Sequence, residues 1–89
     1  MNIFENTTIK DVKLEISVLV KRTRKQRGLN QEELASTLNL SRITISNLEQ
    51  GSNVTLDTLL KVFLYFDLLD SFYEYVATLV RANKQTSLY

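Results

Sequence analysis

Apolar residues recur along this chain at steps of three and four, the period of an amphipathic helix. Ahead of Gly28, the positions Ile9, Val12, Ile16, Leu19 and Val20 fall on one face. They predict a first helix capped by Thr7 or Thr8 and running to about Arg27, with Leu14 and Val18 on its other side. Partial alternation over residues 14–20 also fits a strand, but the helix formers that follow favour the helix. A short second helix is predicted over residues 31–38, with Asn30 as N-cap and Glu33 placed to complete a capping box. Leu34, Ala35 and Leu38 are its inward side. After Asn39, Leu40 and Ser41, a third helix over residues 42–50 buries Ile45 and Leu48. Thr55 caps a fourth, with Leu56, Leu59, Leu60 and Phe63 inward. Residues 67–70 read as a turn, and a fifth helix to about Arg81 carries Phe72, Val76, Leu79 and Val80 on one face, with Tyr73 beside it. Proline is absent and the only glycines are Gly28 and Gly51, each placed to end a helix in a left-handed conformation. The expectation is an all-α fold of five helices.

Two short helices joined by a three-residue turn, the second polar on one side, describe a helix-turn-helix. The motif needs a small residue where the helices cross, and Ala35 is there. It also needs a turn residue that tolerates positive φ, and Asn39 is the best substitute for glycine in that role. Leu34, Leu38, Leu40, Ile45 and Leu48 stand at the steps that would fix the crossing.

Residues 22–51, RTRKQRGLNQEELASTLNLSRITISNLEQG, closely resemble the Cro-like phage-repressor helix-turn-helix family, also termed XRE-type. Gly28, Gln31, Ala35, Leu40, Ile45, Leu48 and Gly51 match together, while Asn39 replaces the family's usual glycine. The resemblance implies a lambda-repressor-like DNA-binding domain in which helices 2 and 3 form the motif and helix 3 enters the major groove. It implies base contacts from Arg42, Ile43, Thr44 and Asn47: Arg42 on guanine, Ile43 and Thr44 on thymine methyls, Asn47 on a base edge or a phosphate. Backbone contacts are implied for Gln31, Ser41, Gln50 and Asn53. Arg24 and Glu49 are implied to form a structural salt bridge joining helix 1 to helix 3.

Charge refines this picture. Over all 89 residues, 11 Lys and Arg oppose 10 Asp and Glu, net +1, which does not advertise a nucleic-acid binder. The average conceals a segregation. Residues 21–51 hold Lys21, Arg22, Arg24, Lys25, Arg27 and Arg42 against Glu32, Glu33 and Glu49, and both flanking segments are slightly acidic. A run such as residues 21–27 reads either as a solvated helix face or as a phosphate-facing patch. With Arg24 assigned to the salt bridge, Lys21, Arg22, Lys25 and Arg27 remain as phosphate candidates, chiefly Lys25 and Arg22. Few phosphate contacts per subunit and a modest salt dependence are expected.

Six aromatics crowd residues 63–75, interleaved with Asp67, Asp70 and Glu74 rather than with basic groups. That composition suits core and subunit contact, not a platform for stacking single strands. The expected assembly is a homodimer through Phe72, Val76, Leu79 and Val80 that reads a near-palindromic double-stranded operator. Residues 1–81 are expected to form one domain and residues 82–89 a flexible tail.

Histidine and cysteine are both absent, which removes their nucleophile systems and imidazole or thiolate metal ligation. Without a phosphate loop or a paired-carboxylate cleft either, no enzyme activity and no cofactor are expected. No apolar run is long enough to span a membrane and no secretion signal is evident, so a cytoplasmic, nucleoid-associated protein is expected. The expected function is a transcriptional regulator, a repressor. The stretch GSNVTLDTLLKVFLYFDLLDSF resembles, more loosely, HipB-like antitoxins, and implies as an alternative an operator-binding antitoxin that also holds a HipA-like kinase toxin. Restriction–modification controller proteins look similar too.

Overall fold

The computed structural model describes residues 6–83, and those residues form five helices and no strand. They are α1 (Ile9–Gln26), α2 (Gln31–Thr37), α3 (Arg42–Glu49), α4 (Leu56–Tyr65) and α5 (Leu69–Ala82). The predicted tail lies outside the described residues from position 84 onward.

The first four helices start at short polar side chains that satisfy the free amides of a helix beginning. Thr8 and Asp11 form a reciprocal capping box on α1, as Asn30 and Glu33 do on α2. Ser41 accepts from the Thr44 amide and Thr55 from that of Thr58. Only α5 opens without a side-chain cap, at Leu68. The interhelical turns use positive φ where the sequence predicts it: Gly28 at 71°, Asn39 at 58° and Gly51 at 76°. Asp67, in the turn before α5, also adopts this conformation, at 61°. The Thr37 and Glu49 ends of α2 and α3 fall one residue short of expectation, with Leu38 and Gln50 as C-caps.

Val20, Leu34, Ala35, Ile45, Leu48, Val62, Phe63 and Phe66 make the core. It draws on α1 to α4, with α3 packed against both α1 and α2. Two predicted faces are corrected. On α1 only Val20 of the expected stripe is buried and Ile16 packs at the core margin, while Ile9, Val12 and Leu19 are exposed. The buried line is instead Ser17, Val20 and Arg24. Apolar periodicity misses it because two of its members are polar and satisfied within the fold: the Ser17 hydroxyl donates to the Leu14 carbonyl at 2.6 Å, and Arg24 is ion-paired. Nor does Leu14 stand clear of the fold, since its side chain lies 3.1 Å from the point where a Cβ on Gly51 would sit. On α4 the inward side is rotated toward Val62 and Phe66, with Phe63 and Leu59 retained, Leu60 half-buried and Leu56 exposed. The fifth helix buries no residue at all and touches the rest mainly through α4, where the Phe72 ring meets Phe63 edge-on at 5.8 Å.

Candidate nucleic-acid interface

The helix-turn-helix is assembled by short-range bonds and a few fully buried side chains. Ala35, 2% exposed, lies at the crossing of α2 and α3, and its carbonyl accepts from the Leu40 amide at 2.8 Å. A larger side chain there would push the helices apart. Asn39 turns the chain, its amide donating to the Ser36 carbonyl. Ile45 and Leu48 then anchor one side of α3, which leaves Ile43, Ser46, Asn47 and Gln50 along the other, with Arg42 at its amino end.

Those outward residues are differently engaged. Arg42 is exposed and has no hydrogen-bond or ion-pair partner among the described residues. Ile43 is 68% exposed, so its apolar surface does nothing for the core. Thr44 is half-buried, and both its amide and its hydroxyl meet the Ser41 hydroxyl, at 3.0 and 2.8 Å, so these two side chains hold the helix end. Gln50 donates to the Ser46 hydroxyl at 2.9 Å. Ser46 is absent from the sequence-derived set, although its place four residues after Arg42 and three after Ile43 puts it on the same face. Helical periodicity applied to the polar side of α3 would have found it.

A buried ion pair locks α3 onto α1. The Arg24 guanidinium meets the Glu49 carboxylate twice, Nε to Oε2 at 2.6 Å and Nη2 to Oε1 at 2.9 Å. Its third nitrogen donates to the Leu29 carbonyl at 2.8 Å. Gln31 adds a bond from its amide to Glu49 at 3.1 Å, drawing the start of α2 into the same cluster. The structure brings Arg24 and Glu49 together across α1 and α3, and the Gln31 side chain joins the same group. Burial pushes the Glu49 carboxyl up, but the bonds from Arg24 and Gln31 and the charges of Arg24 and Lys21 outweigh it, so Glu49 titrates below the ordinary carboxylate range. The bond to Glu49 raises Arg24 despite the opposing effect of burial.

The basic run of α1 is divided by helical geometry among three directions. At 100° per residue, Lys21 and Lys25 flank the buried Ser17–Val20–Arg24 line on one side and Arg27 on the other, with Arg22 nearly opposite it. Lys21 is near enough to Glu49 for its charge to help lower that carboxyl. Arg22 instead lines a shallow groove with Glu15, Val18, Leu19, Thr23 and Gln26, away from α3. Arg27 is not a free phosphate ligand. It donates to the carbonyls of Tyr65 and Phe66, each at 3.2 Å, pairs with Asp67 at 3.1 Å, and lies 5.3 Å from the centre of the Phe66 ring. Asn53 accepts from the Lys13 ammonium, so it is tied to α1 rather than grouped with the outer face of α3. Both partnerships span about forty residues of sequence, and no local pattern announces them.

The arrangement is thus a helix face held by its buried side, with an unpaired arginine at its amino end, no acidic residue in that helix's first turn, and Lys21 near Glu49 at its other end. Among the described residues, no helix is long and apolar enough to cross a membrane. The family model described as helix-turn-helix matches residues 20–69, more than half of the chain. No curated protein and no solved structure matches it.

Proposed function

The chain belongs to the helix-turn-helix family, a DNA-binding fold, and we propose that it is a repressor which binds a near-palindromic operator as a homodimer. The observation that carries this reading is the outer face of α3, where an unpartnered Arg42 and a 68% exposed Ile43 are held by a helix whose other side is locked into the core. An isoleucine so exposed has no stabilising role in the monomer, and a thymine methyl in the major groove is a surface that would cover it. Arg42 reads guanine through its two-pronged guanidinium, Asn47 and Ser46 complete the base-facing row, and Thr44 supports them from the cap. Phosphates are held by Lys21 and Lys25 and by Gln31, Ser41 and Gln50 at the helix ends. Arg22 and Asn53 face elsewhere and take no part.

The dimer is supported by what α5 leaves uncovered. Phe72, Val76, Leu79 and Val80 are 39–65% exposed in the single chain. Between α4 and α5 runs a largely apolar groove lined by Leu60, Leu69, Phe72, Tyr73 and Val76 together with Asp70. A patch of this kind on a small domain marks an association surface. A two-fold contact through it would set two recognition helices about 34 Å apart, one turn of DNA. Residues 1–81 then act as one unit that carries both the helix-turn-helix and the association arm.

Selection of bound duplexes from random DNA, followed by gel-shift titration, tests this directly. Two related half-sites in inverted orientation are expected, with the selected duplex bound far more tightly than a scrambled one. Recovery of no common sequence would overturn the proposal.

A further inference from the structure

Core packing holds α5 only near its start, where half-buried Leu69 packs against the core and the Phe72 ring meets Phe63 edge-on; no residue of the helix is fully buried, yet it is the arm through which the proposed dimer forms. A polar contact at the joint adds to that hold. At the end of α4 the carbonyls of Val62, Phe63 and Leu64 are taken by the amides of Phe66, Leu68 and Asp67. The next two carbonyls, of Tyr65 and Phe66, receive their donors from one side chain, Arg27. The same guanidinium pairs with the Asp67 carboxylate, at the one joint residue with positive φ, and rests over the Phe66 ring. Arg27 itself is the C-cap of α1, immediately before the turn that leads into α2. This side chain therefore adds a polar tie from α1 to the joint beneath the arm, beside the buried Phe66 and half-buried Leu68 that seat the joint on the core.

We propose that Arg27 is a positioning residue for operator recognition: by holding the α4–α5 joint it fixes the angle of the arm, and so the separation and relative rotation of the two recognition helices. The inference rests on the dimer described above. Its consequence is a spacing rule. Inserting one base pair between half-sites turns them by roughly 35° relative to each other, because one turn takes about ten base pairs. A dimer with a fixed arm engages both half-sites at one spacing and loses the second at others, whereas a loosened arm reaches several spacings, each with a lower effective concentration.

The test is a gel-shift series on the selected operator with base pairs inserted or removed between its half-sites, using the full chain and its Arg27→Ala variant. Wild type should prefer one spacing by at least roughly tenfold over its neighbours. Arg27→Ala should lose about that factor at the best spacing and change little elsewhere, so that the profile flattens, while sedimentation still shows a dimer and a single half-site is bound as before. Arg27→Lys, which keeps the charge but cannot fork to two carbonyls and a carboxylate, should flatten it partly. Asp67→Gly, which keeps the left-handed joint and drops the ion pair, should do the same. Should the alanine variant fail to fold by circular dichroism, these two carry the comparison. Folded, dimeric variants that keep the wild-type profile would overturn the role of Arg27 alone. A wild-type chain that binds as a monomer, or shows no spacing preference, would overturn the dimer reading and this inference with it.

Discussion

The two ends of this molecule are finished to different degrees. Helices α1 to α3 are seated in the core together with α4: Val20, Leu34, Ile45 and Val62 are fully buried, the first three helices are capped by side chains, and the buried Arg24–Glu49 pair has its partners in place, although α1 still turns Ile9, Val12 and Leu19 outward. Helix α5 has no cap, buries nothing, and turns a row of apolar and aromatic residues outward. A surface that must read base edges gains from being held rigid before the ligand arrives, since ordering it on binding would cost affinity. A surface that meets another copy can be left for that copy to complete. The contrast predicts that damage at one end shows in the stability of the chain, and damage at the other in its association.

The largest expected effect sharpens the first half of that contrast. Arg24→Ala strands the Glu49 carboxylate, whose side chain is 2% exposed, and should cost about 3–5 kcal/mol of folding stability, read from urea unfolding. Loss of under about 1 kcal/mol would mean that the pair does not hold α3 to α1. The same pair gives the stability part of its pH dependence, alongside Asp11, whose carboxyl is held below its usual value by its bonds with the Thr8 amide and hydroxyl. Because the folded-state pKa of Glu49 lies below its unfolded value, its contribution is complete above about pH 4.3 and is lost as pH falls through the lower, folded value. Unfolding free energy should therefore drop on acidification below that point, and drop less steeply in Glu49→Gln.

Next in size comes a break at the other end. Val76→Glu adds a second carboxylate to the groove between α4 and α5 that Asp70 already lines, where a second copy would bury like charges together. Association should weaken at least about a hundredfold, on the order of 3 kcal/mol. The monomer's melting should barely change, because Val76 is already 41% exposed. Light scattering that still reports a dimer would clear this helix of the role. Arg42→Ala ranks third: roughly 1–3 kcal/mol on the operator, with relaxed preference at one base pair and no change in unfolding free energy. An unchanged gel-shift titration would remove Arg42 from the base-reading set.

How far the sequence discloses this molecule follows the same division. The α2–turn–α3 unit is legible almost to the residue because its determinants are local: Asn30 with Glu33, Ser41 with Thr44, Asn39 in the turn, Ala35 at the crossing. The buried faces of α1 and α4 are not, because periodicity assumes that buried means apolar. On α1 the assumption fails at Ser17 and Arg24, and its outlying Ile9 and Val12 match the period without finding anything to pack against. Arg27 illustrates the limit for the site. Within a basic run it is indistinguishable from Lys25, and only contacts with residues 65 to 67 separate a latch from a candidate phosphate ligand.

The smallest expected effect compares the two non-glycine residues at positive φ among the described residues, one in each half: Asn39 at 58° and Asp67 at 61°. Asn39→Gly removes the steric cost of the left-handed conformation but adds freedom to the unfolded chain, and these oppose each other. The net change in unfolding free energy should stay within about 0.5 kcal/mol, whereas Asn39→Ala, which has the Cβ but no local hydrogen bonding, should cost about 1 kcal/mol. Asp67→Gly relieves the same strain but also breaks the contact with Arg27, an exposed ion pair that contributes little to stability. Thermal melts should then scarcely distinguish the two glycine variants. Operator spacing should separate them, because Asn39 joins two helices already fixed by the core while Asp67 joins the core to a helix that it does not bury.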